Sequence, residues 1–162
     1  MWSFKRIDRE PGFTLTEILV TLVIIGILAS VAMPYAEVTV RREKEIELQH
    51  SLRLIRTAID DYHQDWRAGR LGSFAAVSRD GYPESLEELM KGIDLVDGGF
   101  RKYLRRIPPD PFAKAELPVE EHWRVIGYRD ASDSETTSPS DIYDVRSGSE
   151  RQALDGSRYR DW

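Results

Sequence analysis

An uncharged apolar run with a single carboxylate at its leading edge limits what this chain can become. In GFTLTEILVTLVIIGILASVAMP (Gly12 to Pro34), the stretch from Ile18 to Met33 has no charge, and Thr21 and Ser30 carry its only hydroxyls. Glu17 stands immediately before it. Ile18 to Ala36 is 19 residues, which as a helix spans roughly 28 Å at about 1.5 Å per residue, close to the hydrocarbon thickness of a bilayer. The run is rich in Ile, Leu and Val, and membrane helices tolerate its Gly and Pro. The pattern predicts a membrane-spanning helix. A secretory signal peptide fits poorly, because the run is long and SVAMPYAE is only a weak imitation of a small-x-small cleavage site. A buried core helix would need more apolar cover than the rest of the chain offers.

Outside this run the chain is polar and charged. Of 162 residues, 23 are basic and 28 acidic, giving a net charge of -5, with no basic face that would suit nucleic acid. Cysteine is absent, which excludes disulfides and thiolate metal sites, so a small extracytoplasmic domain must tie its loops down in another way. Charge counting leaves the membrane orientation open. Lys5, Arg6 and Arg9 precede the span, and Arg41, Arg42 and Lys44 follow it, so the positive-inside bias is nearly balanced.

The same stretch resembles the prepilin-type signal shared by type IV pilins and type II secretion pseudopilins. The likeness lies in a short charged leader ending in Gly12, then Phe13, then Glu17 at the fifth position after the break, with Gly26 and Pro34 in the apolar span. The resemblance implies that a membrane aspartyl peptidase cuts between Gly12 and Phe13 on the cytoplasmic face and methylates the new amino terminus of Phe13. It also implies a cytoplasmic leader, residues 1–12, and a periplasmic bulk, residues 37–162. Removing three basic and two acidic residues leaves 20 and 26, so the mature chain of 150 residues carries -6.

Cleavage changes what Glu17 can do. A charge at mid-bilayer costs about 2.5–3.5 kcal/mol on insertion scales, although a residue four positions from Phe13 can also stay solvated at the interface. The cut creates an α-amino group whose reference pKa is about 7.7–8.0. Within an apolar filament core, pairing relieves the desolvation of both charges. Positions four apart share a helix face, so the pair can form within one chain or between neighbours. The resemblance favours the second, which gives Glu17 an assembly role.

Beyond Tyr35, residues Leu48, Leu52, Ile55, Ile59, Tyr62 and Trp66 recur at steps of four and three, the stripe of an amphipathic helix. Arg53, Arg56, Asp60 and Asp61 form an opposite, solvated face. One helix is therefore expected from about Thr14 to about Ala68, ended by Gly69 and Gly72. Pro34 is its weak point, since proline removes a donor and crowds the preceding turn. The resemblance implies that the segment Gly26–Pro34 loses its helical hydrogen bonds in the assembled filament.

In GYPESLEELMKGI, Ser85 and Glu88 have capping-box spacing, and Gly92 closes a short helix over about 84–91. RKYLRRIPPDPFAK crowds Pro108, Pro109 and Pro111 into a rigid loop. EHWRVIGYRD and SDIYDVRSG have strand composition, with the polar loop ASDSETTSPS between them. Two strands are marginal alone, so they are expected to pack on the helix stripe. ERQALDGSRYRDW is loop-like, with a turn at Asp155-Gly156. The expected class is α+β and pilin-like: a long amino-terminal helix on a small antiparallel sheet, with a carboxy-terminal loop.

The order GYPESLEELM, YLRRIPPDPF, DIYDVRSGS and ALDG resembles the protein G group of major type II secretion pseudopilins. That resemblance implies a calcium ion in the carboxy-terminal loop. Here Ser147-Gly148-Ser149 stands where an Asp-Gly is expected, leaving Asp155 and Asp161 as candidate ligands with Glu150 nearby. Calcium takes six to eight oxygens, and scattered carboxylates do not specify a site.

No catalytic constellation accompanies these features. His50, His63 and His122 lack ligand spacing and read as solvated or capping residues, and no nucleophile elbow or phosphate-binding glycine loop occurs. The expectation is a structural subunit, not an enzyme, with no assured cofactor. It would be anchored once in a bacterial inner membrane and would polymerise with copies of itself and with minor pseudopilins. The prepilin peptidase, the inner-membrane assembly platform and membrane lipid complete the implied partners. A type IV pilin serving adhesion, motility or DNA uptake is the alternative, mildly disfavoured by the missing cysteines. A single-span binding protein is the other.

Overall fold

The structure is a computed structural model describing residues 12–72, 78–114, 116–129 and 141–162, with the side chains of Val31 and Pro34 outside that description. Residues 1–11 of the expected leader and the whole of the expected polar loop ASDSETTSPS (131–140) lie outside the described residues. The chain divides into two compact units, one ending at Val40 and one running from Arg41 to Trp162. Helix α1, Leu15–Arg67, contributes residues to both. Its bounds match the expected 14–68 to within a residue.

In the first unit the described apolar side chains of α1 are exposed all round; Ile18, Leu22, Ile25, Ile27 and Leu28 are each at least half exposed. It is long and apolar enough to cross a membrane by length and composition. The hydroxyls of Thr21 and Ser30 donate to the carbonyls of Ile18 and Ile27, each at 2.8 Å. Both are thereby satisfied without a partner outside the helix.

In the second unit the α1 stripe is buried as its spacing demands. Leu48, Leu52, Ile55, Ile59 and Tyr62 are at most 3% exposed, and Ala58 joins them. Trp66, the expected sixth member, is instead 39% exposed, its ring lying over Gly81, where a Cβ would come within 2.2 Å. The helix ends in a Schellman motif. Gly69 adopts φ +67, the Arg70 N–H donates to Asp65 O at 2.9 Å, and the Gly69 N–H donates to Trp66 O at 2.9 Å.

Strands β3 (Trp123–Gly127) and β4 (Ile142–Ser147) pair antiparallel, with Val125 opposite Val145 and Trp123 opposite Ser147. Trp123, Ile142 and Val145 join the α1 stripe in one core cluster, which gives this marginal sheet the apolar backing it needs. The α+β arrangement is the expected one. A second hairpin was not anticipated: β1 (Ile93–Asp94) and β2 (Phe100–Arg101) pair across a turn at Asp97-Gly98, where Gly98 has φ +83. Two-residue strands carry no measurable alternation, and only the Asp-Gly dipeptide hinted at them.

Helix α2 (Leu86–Lys91) forms where expected and closes on Gly92, but the capping box does not. Ser85 makes no side-chain cap, and Glu88 turns its carboxylate to Lys91 at 2.8 Å. An exposed i,i+3 ion pair competes for the group that would have reached back to the amino end.

A candidate assembly site and a pinned carboxy-terminal loop

At the start of the chain's described part, Gly12, Phe13 and Thr14 precede α1, and Phe13 is 80% exposed. Thr14 occupies the N-cap. Its hydroxyl accepts the Glu17 N–H at 3.3 Å, and its carbonyl accepts the N–H groups of Glu17 and Ile18 at 3.1 and 3.2 Å. Thr14-x-x-Glu17 is the spacing of a capping box, a signal in the sequence that the membrane pattern overshadowed. Glu17 thus begins its life as the third residue of a capped helix, where a carboxylate interacts favourably with the unsatisfied N–H groups of the first turn. The side chain is exposed, and among the described residues it has no ion-pair partner.

Gly26 and Pro34 lie within an unbroken helical stretch of the monomer. Nothing approaches within 4 Å of where a Cβ would stand on Gly26, so packing within this chain does not demand a glycine there. What it does contribute is a backbone about 1 kcal/mol less committed to helix than alanine. Eight residues on, Pro34 leaves the Ser30 carbonyl without its helical donor.

In the second unit, several side chains classed as solvated surface take up defined work. Arg56 donates to Asp144 at 2.7 Å, to Val145 O at 2.9 Å and to Trp162 O at 3.0 Å, tying α1 to β4 and to the last residue. Asp61 accepts from Arg101 at 3.2 Å. Arg53 and Asp60 do remain on the exposed face. His122 is a correction: it is 6% exposed rather than solvated. Its Nδ1 accepts the Asp110 N–H at 3.3 Å, which leaves Nε2–H to donate to Leu117 O at 3.1 Å. His63 stacks on Tyr82 with ring centroids 4.3 Å apart and contacts Gly81 O at 3.2 Å.

Two further groups escaped sequence reasoning because their partners are remote in the chain. Asp65, 1% exposed, receives Arg101 at 2.7 Å and the Tyr103 hydroxyl at 2.8 Å on Oδ2. Its Oδ1 makes no well-formed hydrogen bond, but the Arg70 guanidinium lies against it as an ion pair. Burial, then the hydrogen bond to Asp65, pushes the Tyr103 phenol well above its ordinary range. Glu45 Oε1 accepts both the Leu154 N–H and the Tyr159 hydroxyl, each at 2.8 Å, and Arg41 donates to the same hydroxyl at 3.3 Å.

The carboxy-terminal loop turns where expected. Gly156 has φ +91, and the Ala153 N–H donates to Ser157 O at 2.7 Å. Asp155 Oδ1 accepts the Ser157 N–H at 2.9 Å and its hydroxyl at 2.7 Å, and these two bonds hold the carboxyl below the usual carboxylate range. Asp161 lies 3.7 Å from the Arg160 guanidinium. Among the described residues, no three His, Cys, Asp or Glu side chains converge as a metal site. The candidate residues Asp155 and Asp161 are each engaged by a neighbouring protein group, Ser157 and Arg160 respectively.

Comparison with protein families decides what the amino-terminal arrangement is. Residues 8–33 match the model described as the prokaryotic N-terminal methylation motif. The chain carries that motif. The match takes in Gly12, Phe13, Thr14, Glu17 and Gly26, and it supports a type IV pilin-like chain with prepilin-type processing. No curated protein and no solved structure matches the chain.

Proposed function

We propose that this chain is a pseudopilin of a type II secretion system. It is cut between Gly12 and Phe13, methylated on Phe13, and polymerised through the membrane half of α1 into a periplasmic filament that helps drive export of folded proteins. The observation that carries this reading is the methylation motif over residues 8–33. Two features of the monomer support it. Glu17 is exposed on the first turn, where an amino group from a neighbour can reach it. The described large apolar side chains between Phe13 and Val40 are open to other helices. A charged amine and a carboxylate entering an apolar filament core both lose hydration, and their mutual attraction offsets part of that cost.

In the filament, the stretch between Gly26 and Pro34 gives up helical hydrogen bonds, because its two weak points already lower what must be lost there. The chain is a peptidase substrate and a structural subunit, not an enzyme, and a separate cytoplasmic ATPase supplies the energy. Its partners are copies of itself, minor pseudopilins, the prepilin peptidase and the inner-membrane assembly platform. Deletion of the gene followed by comparison of secreted proteins and surface filaments tests the assignment. Loss of folded exported proteins with surface pili intact is the expected result. Loss of adhesion, motility or DNA uptake with secretion intact would assign the chain to a type IV pilus instead.

A further inference from the structure

We infer that the loop Ser147–Trp162 is closed by a metal-free lock of protein groups and takes no calcium ion, contrary to what the likeness to major pseudopilins implies. Calcium needs six to eight oxygens free to turn towards it, and the carboxylates of this loop, Glu150, Asp155 and Asp161, already have protein partners. Asp155 Oδ1 is occupied by two donors from Ser157. Glu150 and Asp161 flank Arg160, each 3.7 Å from its guanidinium, so a cation already sits between the remaining carboxylates.

The departure at Ser147-Gly148-Ser149 has a structural counterpart. Ser147 is fully buried, donates its hydroxyl to Asp110 Oδ2 at 2.5 Å and accepts the Ser149 N–H at 3.1 Å. Asp110, 3% exposed, takes the Phe112 N–H at 2.7 Å on its other oxygen. Its backbone N–H is held by His122. Between the two serines, the Gly148 N–H donates to His122 O at 2.9 Å, and a Cβ at 148 would come within 2.8 Å of that same oxygen. A buried carboxylate on the proline-rich turn thus organises the end of β4 through a serine. An aspartate in place of Ser147 would set two carboxylates together and call for a cation.

The far end of the loop is pinned as well. Glu45 holds Leu154 N and Tyr159, Arg56 holds Trp162 O, and the Phe112 and Tyr159 rings stack at 4.0 Å. Each contact joins the loop to a residue outside it, on α1 or the proline-rich turn, which is the task a bound ion would otherwise perform.

The test uses the full chain in detergent, with thermal unfolding followed by near-ultraviolet circular dichroism in millimolar CaCl2 and in excess EDTA. Terbium luminescence sensitised by tryptophan serves as a direct binding probe. The expected result is the same Tm in both conditions and no saturable terbium signal that calcium displaces. Ser147→Ala and Glu45→Gln should each lower Tm, and CaCl2 should not restore it. A saturable rise of Tm with CaCl2, or a terbium signal lost in Asp155→Asn, would overturn the inference. So would Ser147→Ala and Glu45→Gln both melting like the parent chain.

Discussion

Tyr159 donates its hydroxyl proton to Glu45 at 2.8 Å, joining residues 114 positions apart, and accepts a hydrogen bond from Arg41 at 3.3 Å. The ring itself is fully buried between Phe112 and Trp162. Arg41 and Glu45 share one face of α1, a turn apart, so a single phenol fastens the last residues to the first turns of the second unit. Replacing Tyr159 with Phe keeps the ring and removes the hydroxyl. The lost hydrogen bond to a charged acceptor should cost about 1.5–3 kcal/mol of unfolding free energy, measured by urea denaturation of the full chain in detergent.

Alkaline pH should unfold this domain at its tyrosines. Burial raises the phenols of Tyr62, Tyr103, Tyr82 and Tyr159 above their ordinary value. The folded state therefore keeps these protons where the unfolded chain releases them. Their contribution is complete below about pH 10, the value in unfolded chains, and is lost as pH rises towards the folded values. Tyrosinate absorbance should rise together with loss of near-ultraviolet dichroism above about pH 10. Full ionisation with the fold intact would contradict the assignment.

Asp65 collects positive charge at the end of α1. Asp65→Asn leaves Arg70, Arg101 and the Tyr103 hydroxyl facing a neutral amide that offers one acceptor instead of two oxygens. Removing one partner of a buried pair costs about 3–5 kcal/mol, and the partial exposure of both arginines lowers this to about 2–3 kcal/mol. A shift of the urea midpoint with unchanged slope is the expected signature.

Glu17→Val should leave membrane insertion intact, because it removes a charge at the edge of the apolar run and adds none. Incorporation into filaments should fall by about 100-fold, the ratio equivalent to an unpaired charge at about 2.5–3.5 kcal/mol. Cysteine crosslinking between subunits in membranes reads this directly, and crosslinking at the parent level would remove the assembly role.

The two periodicities that specify the long elements were legible before any coordinates. The apolar run and the Leu48–Tyr62 stripe fixed α1 almost to the residue, and β-branched and aromatic content marked β3 and β4. What stayed hidden depends on contacts between remote segments. Nothing local to Asp110 indicates that it meets Ser147, and the surrounding prolines made that turn look chemically inert. Arg56 and Asp61 read as surface because helical spacing reports which face a residue occupies, not whether another segment folds over it. Trp66 failed the stripe for the related reason that the glycine turn at Gly81 receives its ring at the edge of the core. At the amino-terminal end, charge alone singles out Glu17, and the assembly role given to it comes from the resemblance. The cap from Thr14 was legible only as a spacing whose meaning needed the helix start to be known.

Processing at Gly12 is the event on which the amine–carboxylate pairing and the filament reading both rest. Intact-mass spectrometry of the protein purified from its native membranes measures it in one step. A chain beginning at Phe13, 150 residues long and heavier by one methyl group, is the expected mass. An unprocessed chain of 162 residues would contradict it.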